Sequence, residues 1–123
     1  MKNFDNTSCQ LDTLRKLCRT STMQDIQAYI HNVITMRGFA EESPQDVLLM
    51  LTEELGELAK AVRKVSGLPM DVQHTNSLGS IEEEVADVFI LLVSLCNVLG
   101  ISLFDAVVAK EELNCKRVWK ALG

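Results

Sequence analysis

The segment 81–99 constrains the fold of this chain most, because after Asp87 it is apolar on nearly every side of a helical wheel. Such a helix must be covered all round, and three other main helices in a chain of 123 residues supply too few neighbours to cover it. We therefore predict an oligomer in which a second copy covers the remaining face. The apolar run is too short to span a bilayer, which takes about 20 residues, so no membrane partner is expected.

The rest of the chain shows apolar residues at helical spacing and no sustained strand-like alternation, which predicts an all-α fold of the four-helix-bundle type. N-cap residues, Pro44 and glycines mark the helix ends. The four main helices are predicted at 22–37, 44–66, 81–99, and from Ser102 to about Ala121. A weaker helical pattern at 9–19 predicts a short extra helix, so we divide the chain into an N-terminal arm, 1–20, and a domain, 21–123.

The charge balance and the cysteines restrict the class of protein. There are 12 Lys and Arg against 17 Asp and Glu, a net charge of −5, which argues against nonspecific nucleic-acid binding. None of the 4 cysteines forms a C-x-x-C pair, so reduced thiols in the cytoplasm are the simplest interpretation. The start of the chain carries no apolar segment typical of a signal peptide.

Two acidic segments carry the main functional signal. In the first, Glu53, Glu54 and Glu57 share one helix face, and in the second, Glu84 and Asp87 are i,i+3 neighbours. If the two helices pack as an antiparallel pair, four or five carboxylates converge and repel one another unless cations neutralise them. Carboxylate oxygens are the ligands that Mg²⁺ or Mn²⁺ prefers. The pattern thus favours a divalent metal site.

Two other interpretations of these acids were compared with the metal site. Acids near a helix N-terminus favour the helix dipole, which accounts for Glu82 and Glu83 but poorly for the mid-helix pair Glu53 and Glu57. A di-iron bundle requires Glu-x-x-His pairs. Neither His residue follows a Glu at that spacing, so the sequence disfavours a di-iron site.

The last predicted helix carries a polar stripe. Lys110, Asn114 and Arg117 fall at i, i+4 and i+7, and two cations with an amide in line suit phosphate oxygens. The alternative is an excess of cations at a helix C-terminus, which accounts for Arg117 better than for Lys110.

These elements in this order resemble the all-α nucleoside triphosphate pyrophosphohydrolases of the MazG type. The resemblance covers roughly residues 22–120 and is carried by Glu53-Glu54-x-x-Glu57, Glu84-x-x-Asp87 and Lys110-x-x-x-Asn114-x-x-Arg117. The phrases LTEELGELAKAVRK and IEEEVADVFILL are especially similar to that family.

The resemblance implies Mg²⁺-dependent hydrolysis of an NTP or dNTP to the monophosphate and pyrophosphate, in nucleotide-pool house-cleaning, with Mn²⁺ as a possible substitute. It implies a homodimer or homotetramer with sites that often combine residues of two chains. The resemblance implies that the metal is bound by Glu54, Glu57, Glu84 and Asp87. It implies that Glu53 and Glu54 are catalytic, with Glu53 either a further metal ligand or the base that orients water. The triphosphate would be bound by Lys110, Asn114 and Arg117.

Two other functions also fit the sequence. One is a non-catalytic, metal-stabilised helical oligomer that acts as a scaffold or nucleotide sensor. The other is the activity of the related phosphoribosyl-ATP pyrophosphohydrolase. Residues proposed to line a base pocket are His31, Phe39, Met50 and the 67–79 loop with His74, for which core packing or surface exposure is the plainer explanation.

Overall fold

A computed structural model describes residues 6–67, 69 and 80–121. These residues form helices and no strands, which confirms the all-α class. The helices are α1 (Asn6–Leu14), α2 (Met23–Met36), α3 (Pro44–Ser66), α4 (Ile81–Leu99) and α5 (Leu103–Cys115). The predicted 67–79 loop lies almost entirely outside the described residues.

Side-chain caps fix where the helices begin. Thr22 and Ser43 each form a capping box with an aspartate three residues later, and the Ser80 hydroxyl accepts from the Glu83 N–H. Gly67 and Gly100 end α3 and α4 at φ 76° and 69°, a left-handed conformation that glycine adopts without steric cost. The predicted starts of the four main helices are thus confirmed to within one residue.

The last helix ends earlier than predicted, at Cys115 instead of about Ala121. The Lys116 N–H donates to the Leu113 carbonyl and the Arg117 N–H to the Asn114 carbonyl, both at 3.1 Å. The Trp119 indole N–H also donates to the Asn114 carbonyl, at 3.3 Å. These bonds close the last turn. Arg117 therefore lies beyond the helix that was expected to carry it.

The core of the fold is the pair formed by α3 and α4, which share the most extensive interface among the described helices. Val47 of α3 and Val93 of α4 are buried, and α2, which packs against α4, adds the buried residues Ile30 and Val33. Apolar residues at helical spacing put these side chains on facing sides. The acidic segments of α3 and α4 are consequently brought alongside each other.

Gln27 of α2 connects the turn between α4 and α5 to the bundle. Its Nε2 donates to Asn97 Oδ1 and to the Ile101 carbonyl, both at 3.0 Å, while its Oε1 accepts from the Leu103 N–H at 2.9 Å. The Asn97 amide in turn donates to the Gln27 carbonyl at 2.9 Å. One side chain thereby fixes the point at which α5 leaves α4.

The N-terminal helix α1 packs on α2, but it spans Asn6–Leu14 and not the predicted 9–19. Asn6 Nδ2 donates to the Met36 carbonyl at 2.7 Å, and Arg37 Nε donates to Gln10 Oε1 at 2.9 Å. α1 therefore binds the C-terminal end of α2 and the turn that follows it. The division into an arm, 1–20, and a domain, 21–123, stays a prediction.

Large apolar side chains remain exposed on α4 and α5. Leu99 is 51% exposed and Phe104 62%, and Trp119, which follows the end of α5, is 72% exposed. Among the described residues, no single helix is long and apolar enough to cross a membrane. By length and composition only α4 and α5 taken together would suffice, and they are bent by 97° relative to each other. That a second copy covers this surface stays a prediction.

Candidate functional site

Three carboxylates converge where α3 and α4 pack together. Glu54 of α3 and Glu84 and Asp87 of α4 each place an oxygen within 4.8 Å of the others. Asp87 follows Glu84 by one helical turn, so both point toward the same part of α3. They are three of the five acids that the sequence predicts to converge, Glu53, Glu54, Glu57, Glu84 and Asp87. We call them the carboxylate triad.

Glu84 is the most unusual member of the triad. It is only 8% exposed, and its Oε2 atom has no hydrogen-bond partner among the described residues. A buried carboxylate oxygen without a partner is costly, because that oxygen has lost its hydration without compensation. A cation held between the three side chains would supply the missing interaction, and an all-oxygen donor set suits Mg²⁺ or Mn²⁺. The residues present therefore fit a divalent metal.

The pKa of Glu54 is raised above its ordinary value by the surroundings of the triad. Burial is the largest cause, followed by the negative charges of Asp87 and Glu84, a hydrogen bond with Glu84 and the charge of Glu57. Burial and the neighbouring negative charges thus favour the protonated form of Glu54 more than water does.

This raised pKa predicts how the stability of the metal-free protein depends on pH. The folded protein binds the Glu54 proton more tightly than the unfolded chain does, so the free energy of unfolding falls as pH rises from the ordinary pKa through the raised one. We expect Glu54→Gln to flatten that fall and to raise the midpoint temperature at neutral pH in EDTA. Thermal unfolding of both proteins from pH 4 to 8 measures the effect. Parallel curves for the two proteins would contradict it.

Glu53 and Glu57 lie outside the triad. Glu57 is half-buried and its Oε1 lies 3.6 Å from Lys60 Nζ, while Glu53 is exposed. Glu57 is nevertheless close enough for its charge to raise the pKa of Glu54. Their assignments, Glu57 as a ligand and Glu53 as ligand or base, stay predictions.

The three residues predicted to bind phosphate lie away from the carboxylate triad of their own chain. Lys110 and Arg117 are exposed, and Asn114 donates through Nδ2 to Glu111 Oε1 at 3.0 Å. Glu84 is about 22 Å along the helix axis from the end of α4 at Leu99. Because α5 leaves at 97° to α4, it does not run back toward the triad. The structure does not bring the two predicted groups together within one chain.

A cavity of about 240 Å³ lies between α2, the start of α3 and α4. His31 and Phe39, which the sequence proposed for a base pocket, both line it, whereas Met50 does not. His74 lies outside the described residues. Sequence reasoning missed Ser94, which also lines the cavity, because a serine in an apolar helix gives no pattern that distinguishes it.

The comparisons with known proteins agree with this architecture. Residues 42–119 match the model of the MazG nucleotide pyrophosphohydrolase domain. YpjD of Bacillus subtilis (strain 168), an uncharacterized protein, is 42% identical over 85 residues, which are 69% of this chain and 76% of that protein. The crystal structure of B. subtilis YpjD, described as a candidate pyrophosphatase, superposes with a TM-score of 0.69 at 36% identity. The match covers 82% of this chain and 100% of the YpjD chain. The chain therefore belongs to the MazG family of nucleotide pyrophosphohydrolases, hydrolases that act on phosphoric anhydride bonds.

Proposed function

We propose that this protein hydrolyses a nucleoside triphosphate, ribo or deoxy, to the monophosphate and pyrophosphate with Mg²⁺ as cofactor. The observation that carries the proposal is the carboxylate triad with the unpartnered, buried Oε2 of Glu84. An uncompensated carboxylate of this kind suits an enzyme that binds its substrate's phosphates through a cation. Nucleotide-pool house-cleaning in the cytoplasm is the cellular role that we propose for this reaction.

The roles of the acids follow from their positions. Glu54, Glu84 and Asp87 would hold Mg²⁺, or Mn²⁺ in its place, and Glu57 is proposed as a further ligand. When bound, the metal would neutralise phosphate charge and lower the pKa of a water molecule. Glu53 is exposed next to Glu54, where it either completes the metal site or accepts the proton of the attacking water.

The positive charge opposite the triphosphate comes, in this proposal, from a second subunit. Lys110 and Arg117 are remote from their own triad, and α5 carries exposed apolar residues that need a cover, such as Phe104 and Leu113. An interface that buries α5 against the α3–α4 pair of another copy would meet both requirements. A homodimer or homotetramer with Lys110, Asn114 and Arg117 contributed in trans is therefore the proposed active form.

Product analysis tests the reaction directly. We expect purified protein with Mg²⁺ to release pyrophosphate and monophosphate in equal amounts from at least one common NTP or dNTP, and EDTA to abolish the release. Phosphoribosyl-ATP is included in the substrate series, because it separates the two related pyrophosphohydrolase activities. Release of orthophosphate in place of pyrophosphate would contradict the proposed reaction. Metal binding without turnover of any substrate would instead favour the scaffold or nucleotide sensor.

A further inference from the structure

Helix α5 carries two of the three predicted phosphate-binding residues, yet little of it is packed in the single chain. Within the described chain, none of its residues is buried, and only Leu103 and Asn114 are partly covered. Its main packing partner among the described helices is α2. Because so little apolar contact holds α5, its direction depends on the polar bonds at its start.

The bonds of Gln27 lie at the point that decides this direction. Its Oε1 accepts from the N–H of Leu103, the first residue of α5, and its Nε2 donates to the Ile101 carbonyl two residues earlier. The same Nε2 donates to Asn97 in the last turn of α4, and Asn97 donates back to the Gln27 carbonyl. Four bonds of 2.9–3.0 Å therefore join α2 to both sides of the turn between α4 and α5.

A small change of direction at the start of α5 becomes larger along the helix. Lys110 lies about 10 Å and Asn114 about 16 Å along the axis from Leu103. A tilt of about 10° at Leu103 therefore moves Lys110 by about 2 Å and Asn114 by about 3 Å. A misplacement of about 1 Å at a reacting site costs up to about a hundredfold in rate. Loss of the bonds that set the direction of α5 is thus enough to disturb a phosphate site on this helix.

We propose that Gln27 is a positioning residue for triphosphate binding, whose amide holds α5 in the direction from which Lys110 and Asn114 reach the carboxylate triad of another subunit. Gln27 acts through the Leu103 N–H and the Ile101 carbonyl and contacts neither metal nor substrate. The inference rests on the proposed function, from which it takes the site formed by two subunits. It adds that a residue of α2, outside the three motifs singled out in the sequence, controls the geometry of that site.

Two measurements test this role without turnover. Gln27→Met removes the side-chain bonds but keeps the length of the side chain and a high helix propensity. Gln24→Met is the matched control, because Gln24 is exposed on the same helix and forms none of these bonds. In EDTA, hydrogen exchange of the Leu103 amide is expected to become about tenfold faster or more in Gln27→Met and to change less than about twofold in Gln24→Met. With Mg²⁺, calorimetric titration with inorganic pyrophosphate is expected to show about 5- to 20-fold weaker binding by Gln27→Met only.

Mixed dimers separate positioning from a general loss of stability. A dimer of Glu84→Gln with the double variant Lys110→Ala, Arg117→Ala contains one intact site, formed by α5 of the first subunit and the triad of the second. We expect Gln27→Met to lower kcat/KM about tenfold or more when it is placed in the first subunit, and less than about twofold when it is placed in the second. Both dimers carry the substitution once, so a general destabilisation affects them equally. Size-exclusion chromatography at the assay concentration verifies that each dimer is intact.

The outcomes distinguish this inference from the proposed function. Equal effects of the two placements, or wild-type pyrophosphate affinity in Gln27→Met, overturn the inference. Inactive mixed dimers overturn the site formed by two subunits and the inference with it. If no triphosphate is cleaved while Gln27→Met exchanges the Leu103 amide faster and binds pyrophosphate more weakly, the proposed reaction fails and the positioning role is supported. If triphosphates are cleaved while Gln27→Met changes neither pyrophosphate affinity nor kcat/KM, the reaction stands and the inference is overturned.

Discussion

Replacing Glu84 with glutamine is expected to reduce metal-dependent pyrophosphate release by about a thousandfold or more. Glu84 is the buried member of the carboxylate triad, and the amide removes a negative charge at the point where a cation would be bound. The variant is expected to fold, because the substitution keeps the shape of the side chain and removes an uncompensated buried charge. Turnover assays together with thermal unfolding in EDTA measure both effects.

Glu83→Gln is the matched control for this variant. Glu83 is adjacent in the chain, belongs to the same first turn of α4 and is exposed, so its substitution removes an equal charge outside the triad. We expect wild-type turnover from Glu83→Gln within about twofold. A folded Glu84→Gln protein with turnover equal to that of Glu83→Gln would remove the triad from the mechanism. The same assay on Glu57→Gln tests Glu57 as a further ligand, and loss of turnover is the expected result.

The second large effect is expected from mixing two inactive variants. Lys110→Ala combined with Arg117→Ala should lower turnover by about a hundredfold or more, since two cations opposite the phosphates are removed. Glu84→Gln is inactive for a different reason. If each site combines the triad of one subunit with α5 of another, a mixed dimer contains one intact site and one doubly defective site. Mixed dimers isolated through two different affinity tags are therefore expected to recover about half of wild-type activity.

The mixing experiment has a clear opposite outcome. If Lys110 and Arg117 served the triad of their own chain, each subunit of the mixed dimer would carry one defect and the mixture would stay inactive. Coexpression of Glu84→Gln with wild-type protein is the control for tag effects. A single-chain site would require a different direction of α5 from the one that Gln27 fixes in the structure.

The helices and their starts were predictable because they depend on local chemistry. Ser43, Pro44 and Asp46 each favour the same helix start, and Gly67 favours the stop, so several independent signals agree. The end of α5 was not predictable in this way. Its apolar and basic residues continue a helical pattern past Cys115, but within the described chain Val118 is 86% exposed, so no packing supports further turns.

Part of the candidate site was likewise predictable from local spacing, and part of it was not. The approach of Glu54 to Glu84 and Asp87 was predictable, because i,i+3 spacing puts the latter two on one face of a helix that packs against the helix of Glu54. The sequence did not show that Glu57 pairs with Lys60 outside that group, since this depends on side-chain orientation. The distance between the triad and Lys110 was equally hidden, because it follows from the bend between α4 and α5 and not from any residue spacing.

The bonds of Gln27 also have a consequence for the order in which the chain acquires its shape during synthesis. Its partners Asn97, Ile101 and Leu103 lie 70 to 76 positions later in the sequence. A nascent chain can pair α3 with α4 through nearby contacts, but α5 receives its direction only after the ribosome has released the segment that meets Gln27. The surface of α5 thus takes its position later than the α3–α4 pair, and the assembly proposed for this surface would follow that step.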